Sequence, residues 1–336
     1  MRSHILAFAM SIACGSAIAQ APADMMYARP GTLIPVGTQH LNFYCMGSGS
    51  PTVVTEGGFA DWSPAFFGLQ ERVAAFTRVC TYDRAGFGFS EPGPMPRSAD
   101  RIAEELHTAL HNGGIPGPYL LVGLAFGSVH MRAFADRWMP EVAGLVLING
   151  DAPDVEPPEM SDYWQRLITR RLPQVRLCRD WVAAGKPLPM PAPPEYPRLN
   201  CYGGAFRGLP DAQFSPQLNA VLEDALGKKV PIWDTVISEI EQIPNDAAYL
   251  KEHRKSFGSR PVRIITANLF KDAPTTSSAS RLEQMRISYY EALAQSRLLD
   301  LSSNAKQIFS DTGAVVHFEK AELVAETIRE AWEQSK

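Results

Sequence analysis

Short segments typical of β-strands alternate with helical segments through the first half of the chain, and this alternation most limits the possible folds. Residues 62–75, 98–112 and 126–138 have helical patterns. In the second of these, Ile102, Leu106 and Leu110 recur every four residues on one face. The segments typical of strands are residues 33–36, 41–45, 52–55, 77–82, 119–122 and 143–149. Such alternation predicts an α/β fold, with a parallel sheet covered by helices on both faces.

The alternation stops after Asp151 and resumes near residue 261. Residues 152–258 contain helical pieces and a proline-rich stretch at 186–197. A strand, a helix, a second strand and a closing helix then follow, at residues 261–266, 279–295, 307–310 and from residue 321 onward. The pattern predicts a cap at residues 152–258, inserted into a sheet domain made of residues 20–151 and 259–336.

The first 19 residues have the pattern of an export signal. Arg2 gives a basic start, an apolar run follows, and Ala17 and Ala19 fit a small-x-small cleavage site. That run is too short to span a bilayer, and no second run of spanning length follows it. We therefore expect removal of residues 1–19 and a soluble mature protein that is secreted or periplasmic. The net charge of −4 gives no indication that nucleic acid is a partner.

Four cysteines remain after removal of the predicted signal: Cys45, Cys80, Cys178 and Cys201. An even number of cysteines in an oxidising compartment favours two disulfides. The alternative is four buried free thiols.

Residues 123–127, Gly-Leu-Ala-Phe-Gly, lie between a predicted strand and a predicted helix. This is the frame of a nucleophile elbow, Gly-x-Ser-x-Gly, in which a serine normally occupies the middle position. Here the middle residue is Ala125, which has no hydroxyl and cannot form an acyl-enzyme.

Three other segments accompany this elbow in a fixed order. Residues 56–59 read EGGF, residues 83–90 read DRAGFGFS, and residues 312–319 read TGAVVHFE and are followed by ELV at 322–324. Together with the elbow they resemble the α/β-hydrolase superfamily. Its members carry a His-Gly-Phe-like oxyanion turn, an Asp-Arg-x-Gly-x-Gly-x-Ser turn, and a C-terminal segment with the catalytic histidine.

The resemblance implies a mostly parallel, eight-stranded sheet with helices on both faces and an inserted cap or lid. It also implies that the second strand neighbours the fourth, which favours a disulfide between Cys45 and Cys80. Cys178 and Cys201 both lie in the predicted cap and would form the second disulfide.

The resemblance also assigns positions to a Ser-His-acid triad. Ala125 stands at the nucleophile position and Ala314 at the histidine position. Asp272, after the strand at 261–266, is the candidate acid, and its alternative interpretation is a solvated loop residue. Asn149 and Asp151 mark the other place where the family can put the acid. The oxyanion hole would consist of the backbone N–H groups of Phe59 and Phe126, which side-chain changes do not remove.

Three other residues, Glu56, His130 and His317, are candidates to replace the missing groups. Glu56 lies beside the oxyanion turn, but it is expected mainly to hold the turn's backbone. His130 follows the elbow on a helix and is expected mainly to pack in the core. His317 would need a shift of one helical turn to replace Ala314. Ser128 is expected to point away from the elbow, while Asp83 and Arg84 are expected to brace their own turn.

The leading hypothesis is an exported α/β-hydrolase homologue without a working triad. It would be a pseudoenzyme or a binding protein for a small apolar or ester-like ligand. The alternatives are an enzyme with recruited, lyase- or isomerase-like chemistry, and a residual esterase. We expect no cofactor, and no metal because no cluster of Cys, His and Asp shows metal-ligand spacing.

Overall fold

The computed structural model describes residues 22–160, 162–197, 199, 201, 213–272 and 278–336. The predicted export signal at residues 1–19 lies outside these residues. Eight strands of the described chain form one sheet: β1 (Thr32–Val36), β2 (Gln39–Met46), β3 (Thr52–Glu56), β4 (Val79–Asp83), β5 (Tyr119–Leu124), β6 (Val142–Ile148), β7 (Val262–Thr266) and β8 (Ala305–Phe309).

The strand order across the sheet is β1-β2-β4-β3-β5-β6-β7-β8. The β1–β2 and β2–β4 pairs are antiparallel, and every pair from β4 to β8 is parallel. The predicted eight-stranded, mostly parallel sheet is therefore confirmed, including the second strand beside the fourth.

Helices cover both faces of this sheet. The described helices are α1 (Leu69–Ala74), α2 (Ala99–Asn112), α3 (Gly127–Trp138), α4 (Tyr163–Ala183), α5 (Pro216–Lys228), α6 (Val230–His253), α7 (Ser278–Ser296), α8 (Val316–Glu319) and α9 (Ala321–Gln334). One apolar cluster joins the sheet to α2 and α3, and a second joins it to α1 and α9. All residues of β5 and β6 are buried, as expected for central parallel strands covered on both sides.

The helix predicted at residues 62–75 is interrupted. A 3₁₀ turn spans Ser63–Phe66, and α1 begins only at Leu69. Gly68 separates the two pieces with φ +76°, a conformation that breaks a right-handed helix and that glycine adopts without a Cβ clash. The apolar residues of both pieces still pack on the same face of the sheet, because Phe66 and Val73 belong to one cluster.

Helices α4, α5 and α6 lie in the stretch where the cap is predicted, between β6 and β7. α4 packs on α6, and α6 contacts α3 of the sheet domain. The Trp233 side chain is fully buried within this layer.

Both expected disulfides are confirmed. Cys45 and Cys80 are direct partners in the antiparallel register of β2 and β4, and their sulfurs are bonded. Cys178 in α4 is bonded to Cys201. No helix among the described residues is both long enough and apolar enough to cross a bilayer.

Candidate functional site

The turn at Ala125 has the geometry of a nucleophile elbow. β5 ends at Leu124 and α3 begins at Gly127, and between them Ala125 has φ +47°. This left-handed conformation is unfavourable for residues with a Cβ. Hydrogen bonds hold it in place: the Ala125 N–H donates to the Ile148 carbonyl at 3.0 Å, and the Ala125 carbonyl accepts from the Asp151 N–H at 3.1 Å.

Two glycines allow the backbone around Ala125 to pack closely. A Cβ on Gly127 would lie 2.3 Å from the Glu56 carbonyl oxygen, and one on Gly123 would lie 2.6 Å from the Ser128 Cα. Such distances exclude any side chain at either position. The structure therefore has the tight turn of the elbow with only a methyl group at its tip.

The turn at residues 57–59 lies directly against Ala125. A Cβ on Gly58 would approach the Ala125 Cβ to 3.0 Å. Within the described chain, the N–H groups of Phe59 and Phe126 donate to no protein acceptor. The rings of Phe59 and Phe126 are stacked, with centroids 4.1 Å apart. These are the two amides that the sequence resemblance assigns to the oxyanion hole.

The structure describes the residue at the expected base position in full, but it describes only the backbone of the expected acid. Ala314 lies in the turn between β8 and α8 and is partly buried. His317 is buried in α8, where its ring lies 4.3 Å from that of Phe318. Asp272 ends the 3₁₀ turn Leu269–Asp272 that follows β7, and its side chain lies outside what the structure describes.

Glu56 and His130 belong to a buried polar network below the oxyanion turn. Glu56 Oε1 accepts from Arg84 Nη1 at 2.5 Å, and Tyr82 also donates to this carboxylate. Burial opposes ionisation of Glu56, but the Arg84 guanidinium outweighs it and holds the pKa of that carboxyl below its ordinary value. His130 Nδ1 lies 3.6 Å from Glu56 Oε1, beyond hydrogen-bond distance.

Arg84 connects this network to the turn at residues 57–59 and to α6. Its guanidinium donates to the carbonyl oxygens of Gly57 at 3.0 Å and Gly58 at 2.9 Å. On its other side it binds the Glu239 carboxylate of α6, with Nε to Oε1 at 2.9 Å. All three charged side chains, Glu56, Arg84 and Glu239, are essentially inaccessible to solvent. Arg84 thus orients the backbone that carries the Phe59 amide.

Asp83 and Ser128 also have structural partners. The Asp83 carboxylate accepts from the Ser63 hydroxyl at 2.6 Å and from the Phe89 N–H at 3.0 Å. The Ser128 hydroxyl donates to the Asp151 carbonyl at 2.7 Å and is fully buried. Ser128 is therefore engaged away from the tip of the elbow.

Three carboxyl groups converge in a small pocket beside the elbow. Asp151 follows β6, Glu156 lies five residues later, and Glu291 comes from α7. Burial raises the pKa of Asp151 to about 7. Burial and the neighbouring Asp151 carboxylate raise the pKa of Glu156 to about 8 and that of Glu291 to about 8. We refer to Asp151, Glu156 and Glu291 as the carboxyl trio.

The three carboxyl groups of the trio titrate near neutral pH. Tyr163 donates a hydrogen bond to Glu291 Oε1 at 3.2 Å, while no side-chain partner of the Asp151 carboxylate occurs in the described residues. Trp164 lines the same pocket and packs edge-on against Phe126. The sequence placed Asp151 at an alternative acid position, but Glu156 and Glu291 were not predicted.

Two further features of the structure were also absent from the sequence-based expectations. A Cβ on Gly58 would lie 3.3 Å from Asp61 Oδ2, so a carboxylate stands close to Ala125. The sequence also did not predict a group of possible metal ligands that includes His107 and His111. They lie four residues apart on α2 and meet the Glu141 carboxylate.

Comparison with known proteins agrees with this geometry. A model of the α/β hydrolase family matches residues 57–327, which is most of the chain. The chain belongs to the α/β hydrolase family.

Solved structures show the same α/β hydrolase fold. A thermophilic esterase from Thermogutta terrifontis aligns with a TM-score of 0.55 and 18% identity, covering 91% of this chain and 99% of that one. An enol-lactonase from Burkholderia xenovorans aligns with a TM-score of 0.56 and 14% identity, covering 89% of this chain and 99% of that one. Identities this low establish a shared fold and leave the chemistry open.

One protein related by sequence has no assigned activity. An uncharacterized protein of Schizosaccharomyces pombe is 31% identical over 156 residues, which are 38% of this chain and 29% of that protein. The match thus spans less than a third of the relative's length.

Proposed function

We propose that this α/β hydrolase family member is an exported protein that binds a small molecule and does not hydrolyse it through a serine. The observation that carries this proposal is the methyl group of Ala125 at the tip of an intact elbow. A serine hydrolase needs a hydroxyl at that point and a histidine to take its proton, and alanines stand at both matching positions.

Features around Ala125 support binding. The N–H groups of Phe59 and Phe126 form no hydrogen bond within the described protein and can donate to a carbonyl or carboxylate oxygen. The partly exposed rings of Phe59 and Trp164, which both pack against the buried Phe126 ring, provide an apolar wall. A ligand with an apolar body and one oxygen acceptor, such as an ester or a carboxylic acid, fits these groups.

The first experiment compares nitrophenyl-ester hydrolysis by the native protein and the Ala125→Ser/Ala314→His double variant. We expect the native protein to be inert and the double variant to turn over. Its rate should exceed that of Ala125→Ser alone by at least about 100-fold, because a positioned general base contributes that much. A fluorophosphonate should label the double variant and not the native protein.

A matched control places the histidine one residue away. Ala125→Ser/Val315→His carries the same two new side chains but puts the imidazole at a position that does not match the family's histidine. It should behave like Ala125→Ser alone. Enzyme-like hydrolysis by the native protein would refute the binding proposal. Equal rates in the two double variants would refute the assignment of Ala314 to the base position.

The carboxyl trio favours a second candidate function, which is acid–base chemistry without a nucleophile. Carboxyl groups with pKa values near 7 and 8 can both donate and accept protons at neutral pH. Lyase- or isomerase-like turnover would then depend on the trio rather than on Ala125. Glu291→Gln should abolish any such activity, while Ala125→Gly should leave it unchanged.

A further inference from the structure

A second polar cluster lies away from the elbow, on the outer side of α2. His107 and His111 are one helical turn apart, so their side chains occupy the same face of α2. Glu141 comes from the 3₁₀ turn Met139–Glu141 that connects α3 to β6. His107 Nε2 lies 2.9 Å from Glu141 Oε1, and His111 Nε2 lies 3.0 Å from Glu141 Oε2. The three ligand-type atoms lie within 4.8 Å of one another.

We propose that His107, His111 and Glu141 form a binding site for a divalent transition-metal ion, with Zn²⁺ as the first candidate. Two imidazole nitrogens and one carboxylate oxygen are a set of donors that suits Zn²⁺, and also Ni²⁺ and Cu²⁺. Hard ions such as Mg²⁺ and Ca²⁺ prefer oxygen ligands and are disfavoured here.

The observed distances are close to those a bound ion requires. Zinc sites place nitrogen and oxygen ligands at about 2.0–2.2 Å from the ion in a tetrahedral arrangement, which separates neighbouring ligand atoms by about 3.4 Å. The two N–O distances here are 2.9 and 3.0 Å. Binding of an ion would therefore lengthen each of these two contacts by about half an ångström, and all three ligand atoms already lie within 4.8 Å of one another.

Packing keeps the three ligands close to this geometry. The His107 ring stacks on Trp138 with centroids 4.0 Å apart and planes 5° apart, and it also contacts Phe134. The His111 ring lies against the His107 ring, with centroids 4.3 Å apart.

The site is also open to solvent. The His111 side chain is 55% exposed and that of Glu141 is 33% exposed, so an ion has an entry path. Both residues border an open surface cleft that also includes Tyr119 and Pro140. A fourth coordination position can therefore hold water or a small ligand from the cleft. A bound ion would join α2 to the connection between α3 and β6.

The test is a calorimetric titration of the purified protein with Zn²⁺ alone at pH 7.5. We expect one equivalent to bind and to raise the thermal midpoint, because an ion that binds only the folded state stabilises it. His111→Ala and Glu141→Gln should each weaken binding by at least about tenfold. The His111 side chain is half exposed, so its removal should not prevent folding.

His40→Ala is the matched control. His40 also contacts a carboxylate, with Nδ1 3.0 Å from Glu91 Oε2. Among the described residues, no second histidine lies with this pair, so this variant should bind Zn²⁺ like the native protein. Binding that is unchanged in both His111→Ala and Glu141→Gln, or no Zn²⁺ binding by the native protein, would overturn the proposal.

Discussion

Ala125, Ala60 and Asn149 share a backbone conformation that residues with a side chain rarely adopt. Their φ values are +47°, +60° and +45°, and they are the three non-glycine residues with positive φ in the described chain. Ala125 lies at the elbow, Ala60 directly follows the oxyanion turn, and Asn149 follows β6. Strained residues persist where the surrounding structure fixes them, and they concentrate at functional sites. These three residues all lie at or next to the turn at Ala125, although that turn carries no nucleophile.

Replacing Ala125 with glycine tests this strain directly. A left-handed residue with a Cβ costs about 1–2 kcal/mol, whereas glycine adopts the same φ freely. Glycine also makes the unfolded chain more flexible, which offsets about 0.4–1 kcal/mol of the gain. We expect Ala125→Gly to raise the free energy of unfolding by about 0.5–1 kcal/mol, measured by urea denaturation.

Ala220→Gly is the control for this prediction. Ala220 is exposed in α5, where the backbone is helical. There the same substitution should lower the free energy of unfolding by about 0.5–1 kcal/mol. Effects of the same sign in the two variants would contradict the assignment of strain to Ala125.

Among the elements, the connection between the oxyanion turn and α6 depends on one side chain. Arg84 binds Glu56 of β3 and Glu239 of α6, and it also donates to the carbonyl oxygens of Gly57 and Gly58. Arg84 therefore joins α6 to the backbone at residues 57 and 58, directly before Phe59.

Removing Arg84 should be strongly destabilising. Arg84→Met keeps most of the side-chain volume but leaves two buried carboxylates, Glu56 and Glu239, without their shared cation. Breaking a buried ion pair by removing one partner costs about 3–5 kcal/mol. We expect a loss of that size in the free energy of unfolding, measured by urea denaturation at pH 7.

Arg72→Met serves as the comparison for Arg84→Met. Arg72 pairs with Glu322 at 3.2 Å, but both side chains are exposed. Removing an exposed pair should cost under about 1 kcal/mol. Similar losses in the two variants would mean that the Arg84 network contributes no more than a surface contact.

The sequence predicted the elements that depend on local patterns. Buried parallel strands such as β5 have continuous apolar runs, and the glycines at 123 and 127 indicate the elbow from the sequence alone. The broken helix at residues 62–75 was predicted as continuous because its apolar pattern runs through Gly68. Gly68 has φ +76°, and an apolar pattern does not encode the backbone conformation of a glycine within it.

The sequence did not predict which groups, distant along the chain, are brought together by tertiary folding. Glu291 lies 140 positions after Asp151, and only the packing of α7 places it in the same pocket. Glu141 meets His107 and His111 in the same way, through the contact of α2 with the end of α3. No local spacing links these residues, although the four-residue separation of the two histidines was a readable signal.

Across the whole molecule, burial raises the pKa of several acidic groups. Burial raises the pKa of Asp136 to about 6 and that of Asp246 to about 8, in addition to the carboxyl trio. Asp246 lies in α6, far along the chain from the trio, and receives a hydrogen bond from the Ala99 N–H at 2.9 Å. The folded protein therefore holds more protons than the unfolded chain between about pH 4 and pH 8.

This proton uptake fixes the direction of the pH dependence. Stability falls with rising pH wherever the folded state binds more protons than the unfolded state, so the free energy of unfolding should decrease from pH 5 to pH 8 and then level off.

Glu291→Gln removes one of the groups responsible and relieves Asp151 and Glu156 of a neighbouring charge. At pH 8 it should stabilise the protein by at least about 1.4 kcal/mol, the equivalent of one pKa unit, because the pKa of Glu291 is raised by more than one unit, whereas at pH 5 the effect should be smaller. Urea denaturation at both pH values measures the difference, with Glu104→Gln, whose side chain is 61% exposed, as a control expected to show none. A native protein that is as stable at pH 8 as at pH 5 would show that the trio is ionised at little cost in the folded state, and that the pocket beside the elbow is better solvated than its burial implies.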